Sequence, residues 1–316
     1  MIYRTLGRTG MKIPLLSMGT GGHKVLGQRD TDRRPESEMH TLLHRAHELG
    51  ITHFDTSPGY MDSELILGRA LKSLPRDSFT VSTKDAFAGT EHVMCPEEVR
   101  RTVESSLKRL QLDCLDLMLI AGTTREFVDV VVNDHVPVLQ KLVAEGKIRF
   151  IGSSEKTATD GSHEWLKKFL PTDIADVAMV GHNMINQSAQ RTVFPICKKR
   201  NIGVMNIFTV RNLFWNPKRL EEVIGELKDQ GLIDRDALPY TKPLDWLLED
   251  GEVESLVEAA YRYAAYTEPI STVMCGTIDI SELEEDTRFI EKGPLSQGKI
   301  DRLDKLFGHI EEAIGN

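Results

Sequence analysis

Short runs of apolar and β-branched residues alternate along the chain with stretches in which apolar positions recur at helical spacing. Between the apolar runs, Val99, Val103, Leu107 and Leu110 fall on one face of a helix. Eight runs have the composition of strands, and they span residues 15–18, 52–55, 79–84, 115–120, 148–153, 177–180, 204–207 and 271–275. Because parallel strands need a long crossover and a helix supplies it, the alternation predicts a parallel α/β architecture.

Eight strands alternating with helices favour one closed (β/α)₈ barrel of the TIM type, formed as a single domain by residues 1–316. An open doubly wound sheet is the alternative, but no Gly-x-Gly-x-x-Gly follows the first strand, so a Rossmann unit is not supported. Residues 3–13 predict an N-terminal β-hairpin before the barrel. Residues 211–251 form a long insertion after the seventh strand with a helix near 220–227, and residues 300–314 form an amphipathic helix.

Composition narrows the class of protein further. The 316 residues are 40% hydrophobic and 28% charged, which is typical of a globular protein. A net charge of -9 without a dense Lys/Arg run argues against a nucleic-acid partner or an anionic membrane surface. Since there is no membrane-length apolar stretch and no signal-peptide core at the start, we expect a cytoplasmic protein. The four cysteines form no Cys-x-x-Cys pair, so no metal site is expected.

Three ionisable side chains are expected at one rim of this barrel. In parallel barrels the functional residues project from the C-terminal ends of the strands. Asp55 ends the second predicted strand, Tyr60 follows five residues later, and Lys84 ends the third. An ammonium beside a phenol favours the phenolate, and a carboxylate holds the ammonium in place, so the three side chains together predict a proton donor. From position alone, a structural ion pair near a surface tyrosine is the alternative.

The motifs around these residues resemble the aldo-keto reductase family. Residues 50–60 read GITHFDTSPGY, residues 3–10 read YRTLGRTG and residues 148–154 read IRFIGSS, all in the family's order. The resemblance spans nearly the whole chain and implies a (β/α)₈ barrel that binds a nicotinamide cofactor without a Rossmann fold. It also implies an oxidoreductase in which hydride passes between that cofactor and a small-molecule carbonyl or alcohol. Tyr60 would then be the general acid/base, assisted by Lys84, with Asp55 orienting the lysine.

One member of the family's usual catalytic tetrad is missing. A histidine at the end of the fourth strand normally helps to position the carbonyl, and Ala121 stands there in this chain. Losing one such donor typically costs about 10²-fold to 10³-fold in turnover. Thr123 or Thr124 could supply the contact, and among the histidines His182 is the first candidate. A reductase, a non-redox lyase or isomerase, and a weakly catalytic nucleotide-binding protein on the same barrel therefore stay open.

The resemblance also implies a set of cofactor-binding residues spread over the strand ends. They are Gly19, Thr20, Gly21, Asp55, Ser154, Asn183, Phe208, Gly276, Thr277, Glu282, Glu285 and Asp286. The family's aromatic contact to the nicotinamide aligns with Ile207, and Phe208 could serve with a one-residue shift. The segment after the eighth strand would hold the adenosine end. Two positions near the nicotinamide carboxamide are altered, with Glu155 in place of the usual Asn and Met179 in place of the usual Gln. Residues 276–282 offer no cation to a 2′-phosphate, so we expect NAD(H) to be preferred over NADP(H). Arg211 or Lys218 from the insertion would weaken that inference by reaching the phosphates.

Overall fold

A computed structural model describes residues 1–156 and 159–311 of the chain. It opens with an antiparallel hairpin of β1 (Tyr3–Thr5) and β2 (Lys12–Pro14). Gly7 in the connecting turn has a φ of +47°, a left-handed conformation that glycine adopts without steric cost. A Cβ at Gly7 would also collide with the backbone of Gly203. The predicted hairpin is confirmed, and its turn packs directly on the barrel backbone.

Eight parallel strands close into a barrel in chain order, the last pairing with the first. They are β3 (Leu16–Gly19), β4 (His53–Asp55), β5 (Thr80–Asp85), β6 (Leu115–Ile120), β7 (Ile148–Ser154), β8 (Val177–Gly181), β9 (Gly203–Ile207) and β10 (Ile270–Cys275). Each coincides with a predicted strand to within one residue at either end. All six residues of β6 are buried, as expected for a parallel strand covered on both faces. The predicted barrel is therefore confirmed.

Helices connect the strands and surround the barrel. The α-helices are α1 (Glu36–Glu48), α2 (Ser63–Leu71), α3 (Pro96–Leu110), α4 (Val128–Val130), α5 (Val136–Ala144), α6 (Glu164–Phe169), α7 (Ala189–Thr192), α8 (Phe194–Arg200), α9 (Pro217–Asp229), α10 (Leu256–Ala265), α11 (Ile280–Glu291) and α12 (Gln297–Phe307). One π-helical turn, Val131–His135, separates α4 from α5. The first turn of α3 begins at Pro96, where the missing N–H costs no hydrogen bond. Its apolar face is buried, as the spacing predicts.

The hairpin closes the N-terminal end of the barrel. Leu6, Met11 and Ile13 pack with Leu117 and Met179 from the barrel strands in one apolar cluster. Because that end is filled by apolar side chains, the C-terminal ends of the strands are left to carry polar residues. This is the rim at which functional residues of parallel barrels lie.

The insertion after β9 packs with the C-terminal helix in a second apolar cluster. Leu220 and Ile224 of α9 pack there with Leu303 and Phe307 of α12. The insertion helix predicted near residues 220–227 is α9, and the predicted C-terminal helix is α12, which begins three residues earlier than expected. The helix ends at Phe307, so the prediction is wrong for residues 308–311, and residues 312–314 lie outside the described residues. Within residues 1–156 and 159–311, no helix has the length and apolar character needed to cross a membrane.

Candidate active site

Asp55 and Lys84 meet at the C-terminal ends of β4 and β5. Lys84 Nζ donates a hydrogen bond to Asp55 Oδ2 and, at 3.2 Å, another to the carbonyl oxygen of Thr56. The side chains of Lys84 and Asp55 are only 10% and 6% exposed. The two hydrogen bonds hold the ammonium group in one place. Removing one partner of such a buried pair would leave an uncompensated charge, which is strongly destabilising.

Tyr60 completes the predicted cluster from the loop between β4 and α2. Lys84 Nζ lies 4.8 Å from the centroid of the tyrosine ring. Burial disfavours the charged lysine, but the Asp55 carboxylate and then Tyr60 outweigh it, so the pKa of Lys84 is raised above its ordinary value. The lysine stays protonated at neutral pH. The structure thus brings together the acid, the amine and the phenol that the sequence placed at one rim.

Gly21 provides the space in which the Tyr60 ring lies. A Cβ at Gly21 would be 2.5 Å from Cε2 and Cζ of Tyr60, closer than real Cβ atoms approach other atoms. The sequence resemblance implies Gly21 as a cofactor contact. The structure supplies an additional reason for glycine at this position, because any side chain would displace the tyrosine ring.

A second layer of polar side chains holds Asp55. Ser82 Oγ donates to Asp55 Oδ1 at 2.6 Å, and His53 Nε2 lies 3.1 Å from the same Oγ. Since the serine hydrogen is used on the carboxylate, His53 donates through Nε2, and its Nδ1 accepts from the Thr80 hydroxyl at 2.8 Å. Burial lowers the pKa of His53 to about 4, so the imidazole is neutral at neutral pH.

Ser82 and His53 were not predicted from the sequence, although a signal for them existed. Ser82 precedes Lys84 by two residues, and His53 precedes Asp55 by two. Alternate residues of a strand point to the same face. Each of the two polar residues must therefore lie on the same strand face as the ionisable residue two positions later.

The position of the missing histidine carries no side-chain donor. The Ala121 N–H donates to the carbonyl oxygen of Asp85 at 2.9 Å. In the described part of the chain the buried hydroxyl oxygen of Thr123 has no hydrogen-bond partner. Thr124, in contrast, hydrogen-bonds with Glu126. The structure thus leaves the Thr123 hydroxyl free shortly after β6.

His182, the first candidate for a replacement histidine, is fully buried. Its ring centroid lies 5.5 Å from that of Tyr263 and 5.3 Å from that of Phe194. Burial lowers the pKa of His182 to about 3, so the ring is neutral. An imidazole enclosed by aromatic rings is not presented to a substrate at the rim.

The first group of predicted cofactor residues lies where β3 and β10 end side by side. Met18 of β3 pairs with Cys275 of β10. Gly19 is the last residue of β3 and Thr20 follows it, while Gly276 follows β10. A Cβ at Gly276 would lie 3.9 Å from the Gly19 carbonyl oxygen. The Thr20 hydroxyl oxygen is buried and has no partner among the described residues.

The second group lies at the ends of β7, β8 and β9. Ser154 is buried at the end of β7. The Asn183 side-chain Nδ2 donates to the carbonyl oxygen of Phe208 at 3.0 Å, and its Oδ1 accepts from the Ile185 N–H at 2.9 Å. In this structure the Asn183 amide joins two loops. Phe208, which follows β9, has a φ of +62°.

Glu155, which replaces the usual Asn, is bound to the protein on both carboxylate oxygens. Oε1 accepts from the Gly181 N–H at 2.6 Å, and Oε2 lies 2.6 Å from His163 Nδ1. Both side chains are buried. Glu155 therefore links the loop after β7 to the end of β8.

The third group lies on α11 and the segment before it. The Thr277 hydroxyl donates to Glu282, whose Oε2 also lies 3.5 Å from Lys24 Nζ. Asp279 caps α11 by accepting from the Ser281 N–H at 2.8 Å. Lys24 was not predicted here, because it reaches Glu282 from the loop after β3, far away in sequence.

Two further residues of the third group lie on α11 itself. Glu285 is largely exposed, 3.6 Å from Arg288. Asp286 is buried and hydrogen-bonds with Tyr261, and burial, together with the carboxylates of Glu282 and Glu285, raises the pKa of Asp286 to about 7. The adenosine end predicted from the resemblance is thus rich in carboxylates, and Lys24 lies at its edge.

A closed barrel with an acid, an amine and a phenol at its C-terminal rim is the architecture of a (β/α)₈-barrel enzyme. The model of the Aldo/keto reductase family matches residues 17–307. The chain belongs to the aldo-keto reductase family. Members of this family are in general NAD(P)H-dependent oxidoreductases that act on small-molecule carbonyl compounds, which supports oxidoreductase activity for this protein.

Individual relatives agree with the family assignment. L-galactose dehydrogenase of Arabidopsis thaliana is 28% identical over 303 residues, covering 90% of this chain and 86% of that protein. The NADH-specific methylglyoxal reductase of Escherichia coli is 30% identical over 219 residues, covering 63% and 64% respectively. The structure of an aldo-keto reductase from Bacillus halodurans in its holo form aligns with a TM-score of 0.72 and 22% identity, covering 100% of this chain and 98% of that one. The last likeness supports the fold.

Proposed function

We propose that this protein interconverts a small-molecule carbonyl compound and its alcohol with a nicotinamide cofactor, using Tyr60 as the general acid/base. The observation that carries the proposal is the buried Lys84, held by Asp55 and facing the Tyr60 ring. A positive charge fixed beside a phenol stabilises the phenolate that remains after the proton has been donated.

Each residue of the cluster has a defined task in carbonyl reduction. When bound at the rim, a reduced nicotinamide would be the source of the hydride for the carbonyl carbon. The Tyr60 hydroxyl donates its proton to the carbonyl oxygen, and the Lys84 ammonium stabilises the phenolate that remains. Asp55 keeps Lys84 in place, and Ser82 keeps Asp55 in place. In alcohol oxidation the phenolate accepts the proton instead.

Several polar groups at the rim suit a nicotinamide dinucleotide. The buried Thr20 hydroxyl and the Nε of Arg211 have no partner in residues 1–156 and 159–311. Glu282 lies on the helix at which the resemblance places the adenosine, and a carboxylate there can accept a hydrogen bond from a ribose hydroxyl. These groups support a dinucleotide along the rim from Thr20 to Glu282.

We further propose that NAD(H) is preferred over NADP(H). Hydrogen bonds from Ser281 hold the pKa of Asp279 below its ordinary value, so Asp279 remains an anion beside Glu282. A 2′-phosphate would meet this negative charge, which Lys24 offsets only in part from 3.5 Å. The NADH-specific name of the E. coli relative supports the same preference. Tighter binding of NADPH than of NADH in parallel titrations would overturn it.

The proposal is tested by incubating the purified protein with NADH or NADPH and a panel of aldehydes and ketones that includes methylglyoxal. Carbonyl-dependent loss of the reduced-nicotinamide absorbance supports it. Conversion of a substrate without net change in that absorbance would favour a lyase or isomerase. Nucleotide binding without any turnover would favour the binding protein, for which Ala121 in place of a donor is the supporting observation. Absence of nucleotide binding would contradict the cofactor assignment.

A further inference from the structure

Arg211 is a half-buried cation in the turn that follows β9. Its Cζ lies 3.4 Å from the centroid of the Phe208 ring. Its Nε is buried and has no hydrogen-bond partner among the described residues, and no acidic group among them contributes to its pKa. Burial alone lowers the pKa of Arg211 to about 10, which leaves the guanidinium charged at neutral pH.

Other shielded arginines of the chain have acceptors for their guanidinium groups. Arg4 donates to two backbone carbonyl oxygens. Arg262, with a side chain only 6% exposed, lies 2.9 Å from Glu258 and 3.3 Å from Glu252. Arg8 lies 2.7 Å from Asp173. Arg211 therefore departs from the way in which this protein accommodates its other shielded guanidinium groups.

The position of Arg211 is built into the fold. Its backbone has a φ of +53°, a left-handed conformation that costs free energy for a residue with a side chain. Asn206 Nδ2 donates to the Thr209 hydroxyl at 2.8 Å, and Asn183 Nδ2 donates to the Phe208 carbonyl oxygen at 3.0 Å. Since the strand end and the neighbouring loop both hold this turn, the guanidinium is fixed in place before any ligand arrives.

We propose that Arg211 binds the pyrophosphate of the nicotinamide nucleotide. A shielded cation without a counter-ion carries a desolvation cost in the free protein, and a bound anion offsets that cost through charge-assisted hydrogen bonds. The planar guanidinium presents several donors that match phosphate oxygens. This inference rests on the proposed nucleotide-dependent function and assigns one residue of the nucleotide-binding site.

The order of the strands places Arg211 between the two ends of the nucleotide. Phe208, in the same turn, is the residue expected to contact the nicotinamide. β9 pairs with β10, whose following segment leads to Glu282 at the adenosine end. In a nicotinamide dinucleotide the pyrophosphate joins the nicotinamide and adenosine halves. The two lysines identified at this rim, Lys84 and Lys24, already face carboxylates, unlike Arg211.

The test compares the wild type with Arg211→Gln and Arg211→Lys by calorimetric titration with NADH, ADP-ribose and adenosine. We expect Arg211→Gln to weaken NADH and ADP-ribose binding by about 10-fold to 100-fold, the usual effect of a lost charge-assisted hydrogen bond. Arg211→Lys should lose less, and adenosine binding should not change. The affinity of the wild type for NADH should also fall more steeply with added salt than that of Arg211→Gln.

Arg302→Gln is the matched control, because the exposed Arg302 also stacks on an aromatic ring, 4.0 Å from the centroid of Trp246. It should bind NADH like the wild type. Equal NADH affinity in the wild type and Arg211→Gln would overturn the assignment while leaving the nucleotide-dependent function intact. A raised KM for 4-carboxybenzaldehyde but not for benzaldehyde, with unchanged NADH affinity, would also overturn it by assigning Arg211 to a substrate carboxylate. No nucleotide binding by the wild type would refute the proposed function itself.

Discussion

The two halves of the barrel rim differ in how their charges are balanced. On β4 and β5, Lys84 faces Asp55, and Asp55 is held in turn by Ser82. At the other half, Arg211 faces no acid among the described residues, and Asp286 is buried beside other carboxylates. In the first half the charged groups are paired and fixed without any ligand, as proton transfer requires. In the second half the Arg211 cation is left for an anionic ligand to balance.

The organised half should be the more sensitive to substitution, and Lys84→Met is expected, together with Tyr60→Phe, to have the largest effect. Without the ammonium, the Tyr60 phenolate loses its stabilising charge, so kcat/KM should fall by about 10²-fold to 10⁴-fold. The dissociation constant for NADH should stay close to that of the wild type. Steady-state kinetics on the carbonyl found by the substrate panel, together with an NADH titration, measures both quantities.

The control for Lys84→Met is Lys228→Met, because Lys228 is also buried but lies on α9 and donates to the Leu238 carbonyl oxygen. Lys228→Met should keep its turnover even if its thermal stability falls. Removing Lys84 also leaves Asp55 unpaired, so Lys84→Met with Asp55→Asn separates lost stability from lost chemistry. Recovery of wild-type turnover in that double variant would contradict the role of Lys84.

Gly21→Ala is expected to have the next largest effect. The added methyl group would lie 2.5 Å from the Tyr60 ring and must push it away from Lys84. A small misplacement of a catalytic group costs about 10²-fold in rate, so we expect a loss of that order in kcat. Gly89→Ala is the control, since a Cβ there meets only a carbonyl oxygen at 4.0 Å. Equal kcat for the two variants would show that the ring position does not depend on Gly21.

Asp286→Asn should change pH-dependent stability at the nucleotide half and have the smallest effect on turnover. The pKa of Asp286 is raised to about 7, so the folded protein binds an extra proton between about pH 4 and pH 7 relative to the unfolded chain. Stability from this group is therefore present at low pH and is lost as the pH rises through 7. Asp286→Asn should be more stable than the wild type at about pH 8, by at most a few kcal/mol, and should gain nothing at about pH 4.

Chemical denaturation at those two pH values measures the difference. Asp301→Asn, at an exposed position of α12, serves as the control and should not alter the pH profile. An Asp286→Asn variant whose stability follows the wild-type profile at both pH values would argue against a buried, protonated carboxyl group at this position.

The same contrast separates what the sequence predicted from what it did not. Alternating strands and helices predicted the barrel, and the strand-end rule placed Asp55, Tyr60 and Lys84 at one rim, because both depend on local spacing. The pairing of Lys24 with Glu282 joins two loops that are remote in sequence. No local pattern encodes such an approach, because it depends on how two loops fold over the rim.

Arg211 shows why the nucleotide half is harder to predict. Its position in the insertion was visible in the sequence, but its stacking on Phe208 and the absence of an acid near it depend on the left-handed turn after β9. Asn183 matches a position of the family, whereas in this structure its amide joins two loops. Residue type alone did not reveal which polar side chains would be hydrogen-bonded within the protein and which would remain available to a ligand.

The most direct test of Tyr60 as the general acid/base is the turnover of Tyr60→Phe at saturating NADH, measured beside its NADH dissociation constant. The substitution removes only the hydroxyl that is proposed to give its proton to the carbonyl oxygen. We expect turnover to fall by about 10²-fold to 10⁴-fold while the NADH dissociation constant stays close to that of the wild type. Turnover equal to that of the wild type would contradict the assignment of Tyr60 as the general acid/base.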